Sequence, residues 1–147
     1  MNNYTIKKAG CEDFWDVYSL YKTLMETEPM FSEADYRKYI GNGSNHISIV
    51  IDSDGKAAAL AAWIVWPGAL SFPLDICFIQ DMVVSHNQRK QGLGSFLLEH
   101  IKQWTKENNI HIIHLQTDTA DAIEFYKKNG FETRNTGLFC FLDSQKS

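Results

Sequence analysis

The stretch whose residue types most suggest ligand chemistry is a short segment with two glycines, Arg89-Lys90-Gln91-Gly92-Leu93-Gly94-Ser95. It follows a predicted strand and opens a predicted helix, and the free N–H groups and dipole of a helix N-terminus favour a phosphate. Gly92 and Gly94 lack a Cβ, so a ligand can approach the backbone closely. Arg89 and Lys90 add positive charge. The alternative is an ordinary strand-to-helix turn, because an isolated G-x-G pair is common.

The spacing of these glycines excludes two familiar phosphate-binding motifs. The P-loop pattern, G-x-x-x-x-G-K-[ST], is absent from the sequence. A dinucleotide fingerprint, G-x-G-x-x-G, would need its third glycine at position 97, where the chain has Leu97. The sequence therefore disfavours an enzyme that binds nucleotides through either motif.

A second distinctive segment lies at the end of the last predicted helix and reads Phe125-Tyr126-Lys127-Lys128-Asn129-Gly130-Phe131. The Asn-Gly pair is a typical helix stop. In the simplest interpretation Phe125 belongs to the core and Tyr126 lies on the surface.

Apolar periodicity and turn residues predict the elements that must position these two segments. Strands are predicted where apolar and β-branched runs lie between turn signals, and helices where apolar residues recur at three- and four-residue spacing. The alanines of the third predicted strand prefer helix, but the run is short and follows a turn. The order of elements is a mixed α+β pattern with one large sheet. The predicted strands are Thr5–Lys8, His46–Ile51, Ala57–Trp66, Ile76–Val84, Ile110–Leu115, Phe131–Thr133 and Leu138–Leu142, and the predicted helices are Cys11–Met25, a Ser32-capped helix to about Ile40, Gly92–Lys106 and Ala120–Lys128.

Length and composition favour one globular domain over residues 1–147. The formal net charge is −4, and a general nucleic-acid binder needs a basic footprint that this chain lacks. No segment is long and apolar enough to cross a bilayer. The cysteines are three and far apart, and no signal peptide precedes them, so we expect a reduced, cytoplasmic protein with no nucleic-acid or membrane partner.

The charges are unevenly distributed along the chain. Residues 1–84 hold six basic and eleven acidic residues, whereas residues 85–106 hold four basic residues against Glu99 alone. An anionic ligand would be drawn to the second stretch and a cationic ligand to the first half. Solvated helix charges that arise by chance are the alternative interpretation.

Together and in this order, the two segments resemble the Gcn5-related N-acetyltransferase (GNAT) superfamily. Its R-x-x-G-x-G/A signature matches Arg89 to Gly94, its F-Y-x-x-x-G-F segment matches Phe125 to Phe131, and its fourth strand is similar to Asp81–Val84. The resemblance covers nearly the whole chain. It implies an acyl-CoA N-acyltransferase fold, a three-layer α/β/α arrangement with a mixed, mostly antiparallel sheet. It also implies transfer of an acetyl group from acetyl-CoA to an amine.

The resemblance implies roles for individual residues. Backbone N–H groups from Arg89 to Ser95 would hold the CoA pyrophosphate. Met82, Val83 and Val84 would pair with the pantetheine arm as an added strand, and the Val84 N–H would polarise the thioester carbonyl. Tyr126 matches the tyrosine that gives a proton to the leaving thiolate. A tyrosine has an ordinary pKa near 10, so it is protonated at neutral pH and suits a general acid.

The sequence departs from the family pattern at a position implied to contact pantetheine. Thr119 stands where many members have an asparagine that contacts pantetheine. The threonine hydroxyl can also form a hydrogen bond, but not necessarily the one that the asparagine forms. The family mechanism is direct attack by the amine, and no nucleophile stands out, since Cys77 lies in an apolar run. No metal is expected.

The general base is a second departure. Some members use a fourth-strand carboxylate. By strand alternation, Phe78 and Gln80 are expected on the face of Met82 and Val84, where neither can act as a base, and Asp81 is expected to point the other way. The alternatives left open are a water relay, His86, Glu26 and Glu28.

The leading hypothesis is a cytoplasmic N-acetyltransferase that uses acetyl-CoA and a primary amine. The alternative is a non-catalytic module of the same fold that binds acyl-CoA as a sensor, which the missing strand carboxylate keeps open and Tyr126 argues against. An acidic and aromatic first half favours a cationic amine over an anionic one. The acceptor stays open between a polyamine, an aminoglycoside-like molecule and a peptide amine. The oligomeric state also stays open, with a homodimer as one alternative. The aromatic residues concerned are Trp15, Tyr18, Tyr21, Phe31 and Tyr36.

Overall fold

The computed structural model describes residues 3–134. The chain divides into two compact units between Gln116 and Thr117, and the expected single domain over residues 1–147 stays a prediction. The first unit contains β1 (Thr5–Lys8), α1 (Phe14–Met25), α2 (Glu33–Gly41), β2 (Asn45–Ile51), β3 (Ala57–Trp66), β4 (Ile76–Val84), α3 (Leu93–Glu107) and β5 (Ile112–Leu115), and the second unit contains α4 (Ala120–Lys128).

A five-stranded sheet in the order β1-β2-β3-β4-β5 forms the centre of the first unit. The first four strands are antiparallel neighbours, and β5 runs parallel to β4. A parallel pair requires a crossover connection, and α3 supplies it. Within the described residues, β5 pairs with β4 from Ile76 to Ile79 and no further.

Helices cover both faces of this sheet. α1 and α2 pack on the face that carries Ile49, Leu60 and Val83. α3 packs on the opposite face, where His100 Nε2 lies 3.3 Å from Ser48 Oγ. The three layers and the mixed, mostly antiparallel sheet confirm the predicted α+β, α/β/α fold.

The alanine-rich β3 lies at the centre of these layers. Every residue from Ala58 to Ala62 is at most 1% exposed. Burial on both faces outweighs the helix preference of alanine, which is a weak local bias. The predicted strand is therefore confirmed.

Several predicted boundaries shift for local reasons. The helix expected from Cys11 begins as a 3-10 turn over Cys11–Asp13 and becomes α-helical at Phe14. The fifth strand begins two residues later than expected, because the Ile110 N–H bonds back to the Thr105 carbonyl at 2.8 Å. The Ser32 cap is confirmed, since the Asp35 N–H donates to its hydroxyl at 3.1 Å.

The predicted strand Phe131–Thr133 is wrong. The Phe131 N–H donates to the Tyr126 carbonyl at 3.0 Å, and Gly130 has a φ of 92°. This is a Schellman end, in which the N–H that a strand would use closes α4. The predicted strand Leu138–Leu142 lies outside the described residues.

Candidate active site

A bulge in β4 decides which side chains share a face near the end of the strand. The register against β3 slips, so that Ala62 pairs with Asp81 but Trp63 pairs with Ile79, and Gln80 is the extra residue. Strict alternation therefore fails at this point.

The slip moves Phe78 away from Met82. Phe78 pairs with Ile64 and Asp81 pairs with Ala62, and Ala62 belongs to the core under α1 and α2. Met82 pairs with Ala61, on the α3 face. The expectation that Phe78 and Gln80 share the face of Met82 and Val84 is wrong, since Gln80 is the extra residue and its side chain contacts Tyr39 of α2. The opposite direction of Asp81 is confirmed.

Two half-buried phenols contact the bulge from α1 and α2. The Tyr21 hydroxyl donates to Asp81 Oδ2 at 2.7 Å, and the Tyr39 hydroxyl donates to Gln80 Oε1 at 2.5 Å. Burial and the nearby Asp81 carboxylate raise the pKa of Tyr21, and the same causes raise the pKa of Tyr39 to about 12. Both phenols therefore remain donors over the physiological pH range. Tyr39 also lines a cavity of about 260 Å³, together with Asp35, Lys38, Asn42 and Asn45.

The other candidate bases have different surroundings. Glu28 is exposed, pairs with Lys22 Nζ at 2.6 Å and accepts the Tyr18 hydroxyl at 2.6 Å. The hydrogen bond from Lys22 is the largest cause that lowers the pKa of Glu28. Glu26 caps α1 in a left-handed conformation, and His86 is exposed in the loop after β4.

The second half of β4 has an open edge. Beyond Ile79, the described residues supply no strand partner on the β5 side. The Ser85 N–H donates to the Ala58 carbonyl of β3 at 2.9 Å. Because N–H groups alternate between the two edges of a strand, the N–H groups of Met82 and Val84 face the open edge and that of Val83 faces β3.

The loop after β4 leads directly from this edge to a helix N-terminus. Arg89 Nε donates to the Val84 carbonyl at 3.3 Å. Lys90 and Gly92 have positive φ values of 63° and 81°. Gly92 caps α3 without a side-chain hydrogen bond, and the first turn of α3 contains no acidic residue.

The first N–H groups of α3 are the polar groups that this loop offers to a ligand. The Phe96 N–H makes the first intrahelical bond, to the Gly92 carbonyl at 3.0 Å. The N–H groups of Leu93, Gly94 and Ser95 precede it and have no acceptor within the helix. The Leu93 side chain is buried, so this residue offers only its backbone. The geometry fits a phosphate or another anion.

Thr119 and Tyr126 lie in the second unit. The Thr119 hydroxyl caps α4 by accepting the Ala122 N–H at 3.4 Å. The Tyr126 ring packs edge-on against Phe125 and Phe131, with ring centroids 5.1 and 5.5 Å away.

The aromatic residues expected near an acceptor divide into different environments. Tyr36 is a core residue, 3% exposed, whose hydroxyl donates to the Gly10 carbonyl at 2.7 Å. Trp15 is 69% exposed. Tyr21 reaches β4, as described above, and its ring packs edge-on against Phe31 at 5.5 Å. Tyr21 is thus the member of this group that touches the bulge.

Sequence reasoning set Asp81 aside as a base and did not find its two phenol neighbours. One signal was present, because Gln80 and Asp81 are adjacent polar residues in an otherwise apolar strand. Such a break in a period of two is typical of a bulge.

The described residues contain no group of three or more His, Cys, Asp or Glu side chains placed to hold a metal ion. None of the helices within residues 3–134 is long and apolar enough to cross a membrane.

The layered sheet with its open-edged fourth strand and glycine loop defines an acyl-CoA N-acyltransferase fold. The sequence model of the acetyltransferase (GNAT) family matches residues 11–131. The chain therefore belongs to the GNAT family, which confirms the resemblance of the two sequence motifs.

Comparison with known proteins gives relatives of several kinds. A streptothricin acetyltransferase from Escherichia coli is 33% identical over 69 residues, which are 46% of this chain and 40% of that protein. The match thus covers less than half of that relative.

Solved structures share the fold over nearly the whole chain. An aminoglycoside acetyltransferase from an uncultured soil metagenomic sample, in complex with sisomicin, has a TM-score of 0.83 at 17% identity and covers 97% of this chain and 98% of its own. A glucosamine-6-phosphate N-acetyltransferase from Arabidopsis thaliana has a TM-score of 0.80 at 19% identity, with 95% and 99% covered.

Proposed function

We propose that this protein is an N-acetyltransferase that moves an acetyl group from acetyl-CoA to a primary amine. The observation that carries the proposal is the open edge of β4, with the Val84 N–H facing it and an anion-binding loop directly after it. A thioester donor with a pyrophosphate needs both features side by side. Family membership supports the same chemistry.

Donor binding uses backbone groups in this proposal. The edge from Met82 to Val84 hydrogen-bonds the amide groups of the pantetheine arm as an added strand. The N–H groups between Arg89 and Ser95 bind the pyrophosphate, and the Arg89 and Lys90 side chains add charge. Thr119 takes the place of the family's asparagine at pantetheine, because its hydroxyl accepts the Ala122 N–H and still has its O–H to donate.

The transfer step is direct attack without an acyl-enzyme. The amine nitrogen forms a bond to the thioester carbon, the carbon–sulfur bond breaks, and CoA leaves as the thiolate. The Val84 N–H stabilises the negative charge on the carbonyl oxygen. Tyr126 keeps the role that the family resemblance implies and protonates the thiolate.

We assign the general base to Asp81. A cationic amine must lose a proton before it attacks, because an ammonium has no lone pair. Asp81 lies on β4 two residues before Val83, and the Tyr21 hydroxyl fixes its orientation. The missing strand carboxylate was the reason to keep a non-catalytic acyl-CoA sensor as the alternative. Asp81 supplies a carboxylate on this strand, so we propose the enzyme alone.

The acceptor in this proposal is a small cationic amine. The half-buried Asp81 carboxylate lies beside aromatic side chains of α1 and α2, which suits an ammonium. Relatives that acetylate streptothricin or an aminoglycoside act on molecules of that class. A cytoplasmic location and a homodimer stay predictions.

Thiol release from acetyl-CoA over a panel of polyamines, aminoglycosides and peptide amines tests the function. We expect amine-dependent release with amide formed in equal amount. In the Tyr126→Phe variant, kcat should fall about ten- to ten-thousand-fold with CoA affinity retained. A wild-type chain that binds no CoA and releases no thiol with any amine would contradict the proposal, and an undiminished kcat in the variant would leave Tyr126 a packing role.

A further inference from the structure

A chain of hydrogen bonds that starts at one phenol links three segments of the first unit. The Tyr4 hydroxyl lies 2.7 Å from Gln88 Oε1 and 2.7 Å from Gln91 Oε1. Gln88 Nε2 in turn donates to Asp52 Oδ2 at 3.3 Å. Since Gln88 already uses its NH2 group on Asp52, it takes the phenol hydrogen at its oxygen, and Gln91 can turn its NH2 group toward the phenol oxygen.

The far end of this chain of hydrogen bonds is fixed to the sheet. Asp52 lies in the turn between β2 and β3, and its Oδ1 accepts the N–H groups of Asp54 and Lys56, each at 2.9 Å. Tyr4 directly precedes Thr5, which pairs with Ile51 in the β1–β2 ladder. Both anchors of the loop therefore lie directly next to paired residues of the β1–β2 ladder.

The anchored glutamines flank the basic pair of the loop. Gln88 and Gln91 lie on either side of Arg89 and Lys90, and Gly92 follows at once. Lys90 has a φ of 63°, a conformation that costs energy for a residue with a side chain. Such a conformation persists only where the surroundings hold it, and the two side-chain anchors supply that restraint.

We infer that Tyr4 is a positioning residue for the donor loop, which it holds in its phosphate-binding shape before the donor arrives. The inference rests on the proposed function. A loop ordered in advance does not lose freedom on binding, so affinity improves without a new contact to the ligand. Loss of the hydroxyl should weaken donors that carry the pyrophosphate and leave the chemical step unchanged.

The test compares acetyl-CoA with S-acetylpantetheine, which lacks the pyrophosphate, in the full chain and its Tyr4→Phe variant. We expect Kd for CoA and KM for acetyl-CoA to rise about three- to tenfold, the range for one hydrogen bond. The kcat at saturating acetyl-CoA and the kcat/KM for S-acetylpantetheine should stay within about twofold.

A second variant, Gln91→Leu, should raise the Kd for CoA by a similar factor. In the Tyr4→Phe/Gln91→Leu double variant, the loss of CoA binding free energy should be smaller than the sum of the two single losses, because the groups act together. Gln103→Leu, which removes an exposed glutamine bonded to Glu107 on α3, is the matched control and should bind CoA normally.

Two results overturn the inference alone: wild-type CoA affinity in Tyr4→Phe, or an equal loss with S-acetylpantetheine. A wild-type chain that binds no CoA overturns the proposed function and this inference together.

Discussion

Asp81 and Glu28 both accept a hydrogen bond from a tyrosine, and the difference between them explains the assignment of the base. Glu28 is exposed and already paired with Lys22. No lysine or arginine among the described residues forms a salt bridge with Asp81. An incoming ammonium therefore meets no competing cation at Asp81, whereas it would have to displace Lys22 from Glu28.

Replacing Asp81 with asparagine keeps the shape of the side chain and removes its capacity to accept a proton. We expect kcat/KM for a good amine to fall about 10²- to 10⁴-fold near neutral pH. The loss should shrink as the pH approaches the pKa of the amine, since the solution then supplies free amine without a base. The measurement is the pH profile of kcat/KM for both proteins.

Asp75→Asn is the control, because Asp75 is an exposed carboxylate in the loop before β4. Its profile should match that of the wild type. If Asp81→Asn shows the wild-type profile, Asp81 is not the base, and a water relay becomes the preferred route for the proton.

At the scale of elements, the contact between β2 and α3 contains two half-buried histidines. His46 lies against the rings of Trp63 and Trp104, with centroids 5.5 and 4.6 Å away. His100 reaches Ser48. Burial lowers the pKa of both histidines, with Lys8 adding to the effect at His46 and Glu107 opposing it at His100.

These directions predict a loss of stability on acidification. Near pH 6.5, the ordinary pKa of histidine, the unfolded chain binds more protons at these sites than the folded chain. The contribution of the two neutral histidines to the free energy of unfolding is therefore fully present above about pH 6.5. It is lost as the pH drops below this value. Urea unfolding at a series of pH values measures this slope.

His46→Phe keeps a ring against the tryptophans and removes the titrating group. It should flatten the acid limb of the stability curve, whereas His111→Gln, at an exposed site, should not. An unchanged slope in His46→Phe would contradict the assigned cause.

At the scale of the whole molecule, the sequence predicts best what depends on neighbours along the chain. In the proposed function the loop from Arg89 to Ser95 binds through backbone groups, so its glycines and its place before α3 are sufficient to recognise it. Ser32 predicts the start of α2 and Gly130 predicts the end of α4, because both caps depend on residues that are neighbours along the chain.

Asp81 is harder to predict because its role depends on pairing between distant segments. The bulge appears only in the register of β4 against β3. Tyr21 is 60 positions before Asp81, and Tyr39 is 41 positions before Gln80. A one-residue slip exchanges the faces of all side chains before it, which is why strict alternation misplaced Phe78.

Amide hydrogen exchange of β4 with and without CoA tests the central claim, that the open edge of this strand binds the donor. We expect the Val84 amide, which faces the open edge, to exchange more slowly on binding. The Val83 amide, which faces β3, should change little and serves as the internal control. Bound CoA with unchanged exchange at both Met82 and Val84 would contradict the account.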